Sequence, residues 1–143
     1  MCHQVLEHVG VVGDTMILQP DYYARRKEFI ANIMRVVRRG GYLNIATPNR
    51  LFPIDPGHAP NFLGVRVHGP FDYFLTSYGD MKSYFSDADV HAVTPYGYYA
   101  GTLASRAGLI GRVFNLWIRL LDRSAVLQST FLNPLTNVLA RKH

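Results

Sequence analysis

The sequence predicts an α/β fold organised around one β-α-β unit. Residues 20–39 read as an amphipathic helix that runs through Gly40-Gly41 into an apolar stretch at 42–47. A helix, a tight turn and a buried strand make the second half of a parallel crossover. The first strand should therefore end near Met1, with the right-handed connection such units adopt. Further helix and strand patterns continue to the last residues.

Taken in order, residues 1–4 read as the end of a strand or the loop after it, and 5–9 as a short helical turn. Residues 10–19 connect to Pro20-Asp21, which opens the helix because proline suits a first turn and an acid there favours the dipole. Phe29, Ile30, Ile33, Met34 and Val37 recur at three- and four-residue spacing and form one apolar stripe. Arg35, Arg38 and Arg39 are expected in the last turn, with Gly40-Gly41 as a left-handed cap. In the strand at 42–47, Leu43 and Ile45 share one face, and Tyr42, Asn44 and Ala46 share the other. Pro48 ends it, having no N–H for a ladder.

Residues 49–74 hold several prolines and glycines and read as a long irregular loop of the kind that covers or binds ligands. Ser77 and Asp80 have capping-box spacing and open a helix to about residue 85. A strand is expected at 90–94, stopped by Pro95, and residues 96–106 are ambiguous. Leu109, Val113, Leu116, Trp117 and Leu120 form the stripe of a helix at 109–121, expected to pack on the sheet rather than lie on a membrane. After a loop at 129–134, residues 136–141 read as the final strand, and Arg141, Lys142 and His143 should be solvated.

With 143 residues, 48% hydrophobic and 17% charged, the chain is long and apolar enough for one globular domain with a core. The net charge of +5 reads as an ordinary basic surface, with an anionic partner as the alternative. The basic clusters, Arg25-Arg26-Lys27 and residues 35–39, share one helix, which argues against a nucleic-acid stripe. The single cysteine, Cys2, excludes a disulfide within the chain and fits a reducing compartment, so a cytoplasmic location is expected. No transmembrane run and no signal-peptide layout occurs, although peripheral membrane contact stays open.

His3 and Glu7 are four apart and His8 adjoins them, but the spacing matches no standard zinc motif. No metal is expected there. A polar helix start, or a place beside a bound cofactor or substrate, is favoured. Histidine is suited to accept a proton near neutral pH. Gly40-Gly41 follow a helix and precede a strand, the reverse of a phosphate cradle, so they read as a turn. The sequence has no G-x-G-x-x-G, Walker or G-x-S-x-G pattern. Thr47-Pro48-Asn49-Arg50, at the carboxyl end of the strand, is the best loop candidate. Asn49 there offers both donors and an acceptor, and Arg50 can pair with a carboxylate or phosphate. A turn with an exposed arginine is the plain alternative.

Three segments together resemble class I S-adenosylmethionine-dependent methyltransferases. Cys2-His3-Gln4-Val5-Leu6-Glu7-His8-Val9 is similar to their segment after the fourth strand. Met34-Arg35-Val36-Val37-Arg38-Arg39-Gly40-Gly41-Tyr42-Leu43 resembles their "R-hydrophobic-L-K-P-G-G" junction, with Arg38-Arg39 in place of Lys-Pro. Thr47-Pro48-Asn49-Arg50, followed by Phe52-Pro53 and His58, resembles the T-P-N loop of a subgroup. The match runs over roughly residues 2–58.

The resemblance implies a partial Rossmann-like sheet, its carboxyl-terminal half, ending in a reversed strand. Residues 1–143 would form one partial domain, with a long loop over 52–74 and a helical insertion over 96–134. It implies S-adenosylmethionine near Cys2, His3 and Gln4, a possible catalytic role for His8, and substrate contacts by Asn49, Arg50 and His58. The acceptor would be a small molecule, lipid or glycan, with no role for nucleic acid. The family's glycine-rich loop and its following acid are absent. The chain is therefore expected to be inactive alone and to work as part of a longer protein, or with a partner chain that completes the sheet. The alternative is a non-enzymatic remnant acting as a binding or pairing module.

Overall fold

A computed structural model describes residues 2–3, 5–13, 15–55, 58, 66–86, 88–93 and 108–143. The fold is mixed α/β. Strand β1 (Cys2–His3) leads to a 3-10 turn (Leu6–His8), helix α1 (Tyr22–Val36) and strand β2 (Tyr42–Pro48). Two short strands, β3 (Ile54–Asp55) and β4 (Arg66–Val67), precede helix α2 (Tyr78–Tyr84) and strand β5 (Ala88–Ala92). Helices α3 (Gly108–Asp122) and α4 (Ala125–Gln128) lead to strand β6 (Leu135–Lys142).

The main sheet has the order β1-β2-β6-β5. β1 and β2 are parallel, with Cys2 opposite Ile45 and His3 opposite Ala46, so the expected first strand is present and α1 is the connection between them. β6 runs antiparallel to both neighbours, with Ile45 opposite Val138 and Val90 opposite Ala140. Alternation puts Leu43, Ile45, Val90, Val138 and Ala140 on one face, where they form the core with Leu6, Ile30, Met81 and Tyr84. Phe29, Ile33, Met34 and Val37 pack against that core, as their spacing predicts. On the opposite face Tyr42 is exposed, and the Asn44 amide donates to the Asn137 side-chain oxygen at 3.0 Å.

The helix α1 stops earlier than its sequence suggests. Val37 is already extended, so Arg38 and Arg39 lie beyond the last turn. Gly40, at φ +71°, shapes the turn into β2 rather than capping the helix. The cap comes from the far end of the chain. Lys142 Nζ donates to the carbonyls of Met34 at 2.7 Å and Val37 at 2.8 Å, a cation where the helix dipole favours one. Lys142 is consequently half-buried, not solvated with its neighbours Arg141 and His143.

The loop expected over 52–74 contains the antiparallel pair β3 and β4, with Ile54 opposite Val67. The capping box forms as predicted: the Asp80 amide donates to Ser77 Oγ, and the Ser77 amide donates to Asp80 Oδ2 at 2.8 Å. Ser77→Ala is expected to cost about 1 kcal/mol, read as a lower urea midpoint at unchanged slope. The strand predicted at 90–94 is shifted, running Ala88–Ala92; Thr94 and the ambiguous stretch 96–106 lie outside the described residues.

The helix α3 departs most from expectation. Its stripe does not cover the sheet: Leu109 is 76% exposed, Leu116 61% and Leu120 52%. Among its described side chains Ile118 and Leu121 are buried, packed with Leu127, Leu132 and Leu135. The core face of the sheet is already occupied by α1 and α2, so α3 seats instead on α4 and the start of β6. Among the described residues no helix is long and apolar enough to cross a membrane.

Candidate functional site

β1 and β2 run in parallel, so their carboxyl ends open on one side of the sheet. The chain leaves β1 through the turn carrying Glu7 and His8, and leaves β2 through Asn49 and Arg50. Open α/β sheets gather ligand contacts at such ends. The backbones of Cys2 and His3 form β1 itself; Gln4 lies outside the described residues.

The structure brings His8 and His58 together. Their ring centroids are 5.5 Å apart, and each ring meets Phe74, His8 at 5.6 Å and His58 at 4.9 Å, edge to face. His58 is held by buried Asp55: its Nδ1 lies 2.8 Å from Oδ2, and its amide donates to Oδ1 at 3.2 Å. A carboxylate on one ring nitrogen fixes the ring's orientation and turns the other nitrogen outward. Arg66 Nη1 lies 3.5 Å from the same Asp55 oxygen, and Arg66 also pairs with Asp72. His8 is exposed, so the cluster reaches solvent.

Beneath it lies Glu7, fully buried, with neither carboxylate oxygen hydrogen-bonded. Burial pushes its carboxyl above the usual 4.5, against its own amide, His58 and Arg26, while Asp55 adds to the rise. The folded protein thus holds the Glu7 proton more tightly than the unfolded chain does. The stability tied to that proton is full below pH 4.5 and declines as pH rises through the folded value. Glu7→Gln, neutral at every pH, should remove this decline. Urea midpoints of wild type and variant should run parallel near pH 4 and separate in the variant's favour by pH 7.

Arg26 was not visible as a site residue from the sequence, yet it organises the cluster. Completely buried, it donates from Nε to the Val9 carbonyl at 3.1 Å and from Nη1 to Tyr73 at 3.0 Å. Its Nη2 donates to the backbone carbonyls of Glu7 at 3.0 Å and Phe74 at 2.8 Å. One guanidinium therefore clamps the turn after β1 to the segment before α2. The signal was its spacing: Arg26 lies four before Ile30, on the apolar stripe, where a charge needs buried partners.

Asn49 and Arg50 sit apart from this pair of histidines in role. Asn49 is buried, and its amide nitrogen donates to the carbonyls of Thr130 at 3.0 Å and Asn133 at 2.7 Å, while its oxygen accepts from the Leu51 amide. Arg50 forms a two-pronged pair with Asp80, with Nη2 to Oδ2 at 2.8 Å, and its guanidinium stacks 4.5 Å over Tyr73. Both side chains fasten the loop after β2 to its neighbours. A separate cavity of about 150 Å³ between α1, α2 and the ends of β5 and β6 is lined by none of these residues. Compared with known proteins, the chain matches no family model, no curated protein and no solved structure.

Proposed function

We propose that residues 1–143 are the carboxyl-side part of a class I S-adenosylmethionine-dependent methyltransferase, transferring methyl to a small-molecule, lipid or glycan acceptor once the sheet is completed. The strand order supports this reading most. The resemblance implies a parallel pair joined by a helix and a final reversed strand, and here β6, antiparallel between β2 and β5, is such a strand. The same topology sets the Glu7-His8 turn and the Pro48-Asn49 loop at one end of the sheet.

Within this reading the acceptor lies against His8 and His58. His8, solvent-facing, takes the proton that the acceptor loses; His58, fixed by Asp55, orients the acceptor. Asn49 and Arg50 hold the loop that borders the site. Rate enhancement comes mainly from alignment. The sequence has no glycine-rich turn between a strand and a helix, so the cofactor's main contacts come from outside these residues.

The coding DNA upstream of Met1 tests the reading. A strand, a glycine-rich loop and then an acid should be encoded in frame or in a neighbouring chain. The completed protein should give heat with S-adenosylmethionine in calorimetry, and His8→Ala in it should slow turnover about 100-fold or more. A completed protein that gives no heat at millimolar ligand sinks the idea.

A second reading, a non-enzymatic pairing module, is favoured by the exposed stripe on α3 and by the exposed Tyr42 on the sheet's other face. β1 is an edge of the sheet among the described residues, which suits completion by another chain. Sedimentation distinguishes it: a module of this kind associates with its partner chain and shows no turnover in the complex.

A further inference from the structure

We propose that Glu7, His8 and His58 form a binding site for a divalent transition cation of the zinc class. The inference does not rest on methyl transfer, and where the cation is bound His8 and His58 serve as its ligands rather than as base and acceptor contact. Sequence spacing sets Glu7 and His8 side by side, and the fold adds His58 from the loop after β3. One ligand atom from each of Glu7, His8 and His58 lies within 4.8 Å of the others. Around a tetrahedral zinc with bonds near 2.0–2.1 Å, ligand atoms stand roughly 3.4 Å apart. Closing that difference requires movement of the ligand side chains, and His8 is exposed.

Two features separate this cluster from a chance grouping. Glu7 is completely buried, and neither of its oxygens has a hydrogen-bond partner. A buried carboxylate without partners is costly, and a bound cation resolves the cost. His58 carries the outer support typical of a metal ligand: Asp55 engages Nδ1 at 2.8 Å, which leaves Nε2 to coordinate. Asp55 is itself held by Arg66. Neither feature is needed for a merely structural histidine pair.

Two imidazoles are borderline donors, and the carboxylate adds one hard oxygen. They select zinc, cobalt, nickel or iron(II) over magnesium and calcium, which prefer oxygen ligands. Exposed His8 marks the entry path, and three protein ligands leave a position for solvent or an oxygen-bearing ligand.

The test is calorimetry of the full chain, stripped with chelator, against zinc chloride, with cobalt chloride followed by visible absorption. One equivalent should bind, cobalt should give the bands of a tetrahedral nitrogen-oxygen site without a thiolate band, and zinc should raise the melting temperature. Glu7→Gln and His58→Ala should each weaken binding about 100-fold, and Asp55→Asn about 10-fold. His8→Ala, at an exposed position, gives the same loss without threatening the fold. His143→Ala, whose ring pairs with Asp89, should bind as wild type. Zinc binding at wild-type strength in both Glu7→Gln and His8→Ala, or no binding by the wild-type chain, overturns the proposal. S-adenosylmethionine is absent from the assay, so its outcome is separate from the fate of the methyl-transfer reading.

Discussion

Arg26→Ala is expected to destabilise the fold by about 4 kcal/mol, the largest effect of any single substitution considered. The guanidinium is fully buried and donates to the carbonyls of Glu7, Val9, Tyr73 and Phe74. Alanine strands those four oxygens, and each stranded acceptor that is buried costs on the order of 1–3 kcal/mol. It also removes a positive charge that favours the ionised form of Glu7. Domains of this size hold about 5–15 kcal/mol in total, so the variant should sit near the edge of folding. Arg26→Lys should recover less than half, because a compact ammonium cannot spread its donors over carbonyls from two separate segments. Urea denaturation measures both. A loss below about 1 kcal/mol for Arg26→Ala would show that these carbonyls find other donors.

Asn49→Ala should cost about 3 kcal/mol and should do so without ligand present. The side chain ties the end of β2 to the turn before β6 through Thr130 and Asn133, and closes its own turn on the Leu51 amide. Asn49→Asp separates the components, because it keeps the acceptor for Leu51 and loses both donors. It should be nearly as damaging, since two carbonyls then face a carboxylate. If Asn49 instead served only to contact an acceptor, Asn49→Ala would leave the urea midpoint unchanged and raise KM in the completed protein. Stability and KM thus report on different roles.

The sequence was most readable where burial repeats with a period. The stripe through Ile30 and Ile33 and the alternation through Leu43 and Ile45 gave α1 and β2, and Ser77 with Asp80 gave the start of α2. Period reports which face of an element is apolar, not whether another element covers it. That is why α3 was found while the exposure of Leu109 and Leu116 was not. Long-range pairings were illegible for a different reason. Lys142 caps a helix 108 positions away in the chain, and nothing local distinguishes it from a solvated terminal lysine. His58 reaches His8 only because β3 and the Asp55 turn carry it back, a placement that depends on tertiary contacts. Glu7 and His8 were visible as a polar helix start beside a ligand, and His58 as a candidate substrate contact; that His58 would meet His8 was not.

The position of β6 has a consequence for how the protein is made. This strand is the last element in the sequence but lies inside the sheet, with β2 on one side and β5 on the other. β2 and β5 are not adjacent, so neither can finish its pairing on the other before β6 arrives. A ribosome adds roughly 5–20 residues each second. Throughout that time the flank of β2 that later pairs with residues 135–142 is an unpaired apolar edge, open to other chains. Pairing across the sheet therefore waits for residues 135–142. Nascent chains stalled before Leu135 should aggregate rather than fold early.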